Sequence, residues 1–207
     1  MSRWLKYTLF VVAGIITVIG GAAIYIKTSD FPHYAVSTPN ITVQSTPARI
    51  ERGRKLAMML CVECHQNPET KQITGRPMFD LPAEFGTIFT KNITQHPTKG
   101  IGKWTDGELL WLLRTGIHPK TERAVPLYMI KLPTMADEDV QSIIAWLRSS
   151  DPIVQPVDVE NKASDPSLLT KFLMRVVIKP FSFPSQTITL PDSSNKIALG
   201  KYLIHDS

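Results

Sequence analysis

The sequence predicts a mostly α protein, with one N-terminal transmembrane helix followed by a small helical domain. Three observations predict it. Leu9 to Ile26 form eighteen consecutive uncharged, mainly apolar positions. Farther on, three segments carry apolar residues at helical spacing behind N-terminal helix signals. The composition, 43 % hydrophobic and 20 % charged over 207 residues, suits a chain that buries one core and excludes wholesale disorder. Sixteen prolines against eleven glycines imply long irregular connections between few helices. The excess of 23 Lys+Arg over 18 Asp+Glu is spread along the chain without a basic run, so nucleic acid is not an expected partner.

The first element is the apolar run. Eighteen residues at helical rise cover about 27 Å, enough to cross the hydrocarbon layer. Arg3 and Lys6 precede it together with Trp4 and Tyr7, a basic flank that places the N-terminus in the cytoplasm and an aromatic belt at the interface. Residues 1–27 therefore read as a membrane anchor, and the chain beyond Lys27 as facing the periplasm or cell exterior. A cleaved signal peptide is the competing reading, but its apolar region is shorter, and Gly21-Ala22-Ala23 is a poor cleavage site. Residues 28–45, rich in Ser, Thr and Pro, read as a tether.

The next element carries the chemistry. The chain's two cysteines fall in Cys61-Val62-Glu63-Cys64-His65, the C-x-x-C-H pattern of covalent haem attachment. Each thiol adds across one haem vinyl group to form a thioether, and His65 brings an imidazole nitrogen to the iron. A redox dithiol would need a preceding strand, whereas the preceding residues read as a helix. A structural zinc site would need a second ligand cluster, and a disulfide across so short a loop would restrain little chain and leave His65 without a role.

Thr46 as N-cap and Pro47 at the first helical position start a helix toward Cys61. Thr105-Asp106-Gly107-Glu108 is a capping box that opens a second helix through Leu113, ending near Gly116. Asp137, Glu138 and Asp139 begin a third, with Val140, Ile143, Ile144 and Leu147 as its apolar stripe and Pro152 beyond it. Between the first two lie about forty residues without a clear period, and a large planar apolar cofactor gives so long a loop something to pack on. Met58, Met59 and Met78 read as packing residues.

Helix, C-x-x-C-H, loop, sixth ligand and helix, in that order, resemble a class I cytochrome c domain over residues 46–150. Asn92-Ile93-Thr94, Gly100-Ile101-Gly102-Lys103-Trp104-Thr105 and Met135-Ala136-Asp137-Glu138-Asp139-Val140 look like the membrane-bound, often dihaem, bacterial c-type cytochromes. The resemblance implies a mostly α fold, a cytochrome c-like helical haem domain. It also implies a close crossing of the first and last helices at Gly53, against Trp146, and Trp104 near a haem propionate. Ordinary core packing is an equal alternative for Trp104. The family places its axial methionine where Met129 stands, and a thioether there would raise the reduction potential. Met135 and His118 remain alternatives as sixth ligand. Ala136 stands where Ser or Thr commonly caps the last helix, so fraying is expected there.

Residues 151–195 read as a Pro-rich linker with one amphipathic helix, Pro166 to Ile178, capped by Asp165 and too charged to span a membrane. Leu199-Gly200-Lys201-Tyr202-Leu203 resembles Arg52-Gly53-Arg54-Lys55-Leu56. Residues 196–207 are accordingly expected to begin a second, truncated cytochrome c domain, its haem motif falling beyond Ser207. The functional expectation is a membrane-anchored electron carrier, not itself an enzyme, with one haem c in this chain. Its partners would be lipid through the anchor and a membrane dehydrogenase, a quinol-oxidising complex or a terminal oxidase. The alternative is a haem c subunit of an oxidoreductase or a c-type peroxidase, with iron open to substrate.

Overall fold

The computed structural model describes residues 2–205 and is mostly helical. Helix α1, Arg3–Thr28, buries no side chain and meets the rest of the chain near its C-terminal end, where Lys171 and Arg175 reach it. Its 26 residues extend about 39 Å, and an 18-residue stretch of it has a mean hydropathy of 2.4, so the helix is long and apolar enough to cross a membrane.

Helix α2, Pro47–Ala57, starts where Thr46 accepts a hydrogen bond from the Arg49 N–H. It runs on through a π-helical turn, Met58–Val62, into α3, Glu63–His65. The Gly86–Thr87 strand β1 is a short interruption in the long loop after α3. Helix α4, Asp106–Thr115, has the expected capping box, Thr105 and Glu108 each bonding the other's backbone N–H, and ends at the left-handed Gly116. Helix α5, Asp137–Leu147, packs across α2 and against α4.

The α2–α5 crossing is the centre of the fold. A Cβ on Gly53 would lie 1.7 Å from the Ser142 carbonyl oxygen, so only glycine lets the two backbones approach this closely. Val140, Ile143, Ile144 and Trp146 are fully buried along the same helix, each gaining about 1.5–3 kcal/mol from leaving water. Asp139 is also fully buried, and Arg52 of α2 pairs with it across the crossing.

Ala136 offers α5 no side-chain cap. The Tyr202 hydroxyl takes over that role. It accepts from the Ala136 N–H at 3.0 Å and donates to Asp139 Oδ2 at 2.7 Å, so the start of α5 is held from outside the helix.

The segments on either side of the domain pack on it. In residues 28–45 the Tyr34 N–H donates to the Glu122 carbonyl and the Val43 N–H to Asp106 Oδ2, while Val43 itself is buried. Beyond α5, strand β2, Asp165–Pro166, pairs antiparallel with β1, so Asp165 is strand rather than helix cap. Ser167 caps the helix instead, accepting from the Thr170 N–H. That helix, α6, spans Leu168–Phe172 and continues as a π-helical turn, Leu173–Val177. The last helix, α7, is Lys196–His205.

Candidate haem site

Cys61 sits in the π-helical turn that ends α2, and Cys64 and His65 in the single turn of α3 beyond it. A π turn widens a helix locally and is common at functional sites. Here it hands three chemically active side chains to one wall of a cavity of about 290 Å³. The loop from Met78 to Ile93, helix α4, the 118–132 loop and α5 complete the lining, which is almost wholly apolar.

Both cysteines are free thiols. Burial, and then the neighbouring Cys64, push the Cys61 pKa up to about 12, which keeps it protonated. His65 Nδ1–H donates to the Lys91 carbonyl at 2.7 Å. That bond fixes the tautomer and leaves Nε2 with a free lone pair. Burial lowers the imidazole pKa, so the neutral, ligating form is favoured.

Met129 lines the same cavity. Its loop is fastened to the end of α4 at both sides, by Val125 N–H to the Gly116 carbonyl and Leu132 N–H to the Leu113 carbonyl, each at 2.7 Å. The Lys131 ammonium crosses the loop and donates to the carbonyls of Pro126 at 2.7 Å and Leu127 at 3.3 Å. Arg114, almost fully buried, donates to the carbonyls of Leu132 and Met135 and pairs with Asp137. Neither stands out in the sequence: Lys131 braces its own loop with no motif to mark it, and Arg114 serves carbonyls 18 and 21 residues away.

The other candidates for sixth ligand are placed differently. Met135 is fully buried in the core and absent from the cavity lining. His118 lines the cavity, yet its Nδ1 accepts from the N–H groups of Lys120 and Thr121, both at 3.2 Å. The neutral ring then carries its proton on Nε2, the nitrogen a metal would need. Trp104 is half-buried and does not line the cavity; its ring meets His118 edge-on at 4.9 Å. Met78 is a lining residue, while Met59 projects outward at 75 % exposure and Met58 is also exposed, so these two do not pack as expected.

These groups fit a haem. Among the described residues no three His, Cys, Asp or Glu side chains converge as a metal-ion site, so the motif lacks the partners a structural zinc would need. An apolar cavity edged by two thiols, an imidazole with a free nitrogen and a thioether matches a porphyrin with two vinyl groups and an axially ligated iron. Tyr128 adds a second observation that sequence reading missed. It lines the cavity, and its hydroxyl is buried without a hydrogen-bond partner.

A helical frame with such a cavity defines a class of small covalent haem-binding domains, and comparison with known proteins gives the family. Residues 50–151 match the profile of cytochrome c, and this part of the chain is a cytochrome c domain. A domain of this family takes haem c, and the chain's two cysteines suffice for one. The chain is 31 % identical over 141 residues to a subunit of nicotinate dehydrogenase from Pseudomonas putida, covering 65 % of this chain and 12 % of that protein. It is 27 % identical over 165 residues to the cytochrome c subunit of alcohol dehydrogenase (quinone) of Gluconobacter oxydans, 76 % of this chain and 33 % of the relative. With the fructose dehydrogenase cytochrome subunit of Gluconobacter japonicus it shares 32 % identity over 103 residues, 47 % of this chain and 21 % of the relative. The chain thus spans a third or less of the length of these curated relatives.

Proposed function

We propose that this chain carries single electrons through one haem c, held by thioethers at Cys61 and Cys64, with His65 as proximal ligand and Met129 as sixth ligand. The observation that carries the reading is the placement of these four side chains on one apolar cavity. When bound, haem c supplies one-electron Fe(III)/Fe(II) chemistry and no bond-making of its own. The protein's part is to hold and to tune. Lys91 orients His65 and raises its basicity, the lining excludes water, and the clamped 125–132 loop presents the Met129 sulfur. Trp104 buttresses the site indirectly, through its edge contact with His118.

The anchor α1 would hold the domain at the cytoplasmic membrane, with the N-terminus inside because Arg3 and Lys6 flank the span there, and the haem on the periplasmic side. The partner class we assign is a membrane dehydrogenase, supported by the dehydrogenase subunits among the relatives. Residues 196–207 read as the opening of a second cytochrome c domain. Gly200 is the counterpart of Gly53 in the two similar segments.

Expression with a haem c maturation system tests the reading. The product should give a haem c pyridine haemochrome spectrum and a mass increased by one covalent haem, and colourless protein would overturn it. Met129→Ala should abolish the long-wavelength absorption band of methionine-ligated ferric haem, whereas His118→Ala should keep it. A band that survives Met129→Ala would move the sixth ligand to another methionine, Met135, and no such band in the unmutated protein would move it to His118 and favour a bis-imidazole, lower-potential centre.

A further inference from the structure

The surface that remains after the haem site is accounted for is the outer side of α6 and its π-helical extension, residues 168–177. This helix has three sides. Thr170 and Met174 face the domain and are buried, the Thr170 hydroxyl donating to the Phe85 carbonyl at 2.8 Å. Lys171 and Arg175, one turn apart, face the foot of α1. Leu168, Leu169, Phe172, Val176 and Val177 face outward, with Phe172 42 %, Val176 54 % and Val177 62 % exposed. An isolated exposed apolar residue needs no explanation; five on one short helix do.

The basic side fixes where that apolar side sits. The Lys171 ammonium donates to the Lys27 carbonyl at 2.6 Å, and the Arg175 guanidinium donates to Ser29 Oγ and the Asp30 carbonyl, both at 2.7 Å. The same guanidinium lies 5.1 Å from the centre of the Tyr25 ring. Lys27 is the first charge after the apolar run, and Tyr25 is the last aromatic within it. Residues 168–177 are therefore bound to the chain where α1 leaves the hydrocarbon layer, at the level of lipid headgroups. Asp30, paired with Arg123 at 2.7 Å, ties the same point to the haem domain.

Resting on the reading of α1 as a membrane span, we infer that the outer side of residues 168–177 is a second membrane contact, lying in the plane of the bilayer surface. The occupant is lipid. The exposed apolar side continues the apolar surface of α1, whose own side chains are all unburied, so one bilayer covers both. Ten residues bearing Lys171 and Arg175 are too short and too charged to span, yet an apolar face flanked by cations suits the boundary between acyl chains and anionic headgroups. Lys179, whose ammonium reaches back to the Arg175 carbonyl, adds a third charge at that level. The consequence is a fixed posture. With two contacts instead of one, the haem domain is held close to the membrane at a set orientation rather than swinging on a single helix.

Site-directed spin labelling of the full-length holoprotein in phosphatidylcholine–phosphatidylglycerol nanodiscs tests this. Nitroxides would be attached to Phe172→Cys and Val176→Cys, with Ile15→Cys as a span control and Lys55→Cys as a water control, the haem spectrum confirming an intact domain in each. Collision with oxygen should exceed collision with a water-soluble nickel chelate several-fold at positions 172 and 176, as at 15, and not at 55. Water-like values at 172 and 176 beside lipid-like values at 15 would overturn the surface contact and leave the anchor standing. Water-like values at 15 would instead remove the anchor on which the inference rests. Positions 172 and 176 shielded from both probes would assign the face to protein and overturn it as well.

Discussion

Arg114 shows how much one residue can hold in this fold. It is a buried cation whose partners are two carbonyls of the loop after Met129 and one carboxylate, Asp137, in the first turn of α5. Burial lowers its pKa, though a guanidinium remains charged at any pH the fold survives. Arg114→Leu would leave the carbonyls of Leu132 and Met135 without their donor, and about 3–5 kcal/mol of stability should be lost in urea unfolding. Met129 ligation should weaken with it, seen as a fainter methionine band. Asp151 makes the matching case for a carboxylate. Burial pushes its pKa up, but the Trp146 indole N–H at 2.9 Å, the Ile153 N–H and Arg54 outweigh it and hold the group below the usual carboxylate range. Since the folded value lies below the unfolded one, the stability Asp151 contributes is complete above the unfolded pKa and is lost as pH falls through the folded value. Asp151→Asn should therefore lower the melting temperature at pH 7 and flatten its dependence on pH below about 4.

At the scale of elements, the α2–α5 crossing turns one missing side chain into a fold. Gly53→Ala would gain nearly 1 kcal/mol of helix propensity, yet the new methyl would meet the Ser142 carbonyl at 1.7 Å and force the helices apart. The expected net loss is about 2 kcal/mol, measured by denaturant unfolding of the holoprotein. Tyr202→Phe tests the borrowed cap of α5. It removes one hydroxyl, leaves the Ala136 N–H and buried Asp139 each short of a partner, and should cost about 1–3 kcal/mol. These two cases also mark what sequence can tell. The starts of α2 and α4 were legible because Thr46-Pro47 and the Thr105–Glu108 box act within a few residues of themselves. The motif at Cys61, Cys64 and His65 was legible because its chemistry is local. The Tyr202 cap spans 66 residues and rests on a hydroxyl that any tyrosine carries, so no local pattern could reveal it. The helix of α6 was visible in its apolar spacing, but its cap was misread, because the strand pairing that takes Asp165 is formed with Gly86–Thr87, far along the chain.

For the molecule as a whole, the question is how rigidly the redox site is joined to its anchor. Residues 28–45 have the composition of a loose tether, and a loose tether would let the domain sample many orientations. Their bonding suggests otherwise. Bonds along its length fasten this segment, among them Asp30 to Arg123, the Ala124 N–H to the Pro32 carbonyl, Tyr34 to Glu122, and Val43 to Asp106. A further contact is steric, since the Pro39 carbonyl lies where a Cβ on Gly107 would come within 1.8 Å of it. Gly107→Ala isolates that contribution. It sits in the first turn of α4, where alanine favours the helix, so any loss must come from expelling Pro39 and its neighbours. Amide exchange of the holoprotein should show the Val43 N–H exchanging at least about tenfold faster in the variant, about 1.4 kcal/mol of lost local protection, with amides inside α4 unchanged. If Val43 exchanges at the rate of an unstructured amide already in the unmutated protein, the segment is a free tether after all, and only the contact through α6 would remain to set the posture of the haem domain.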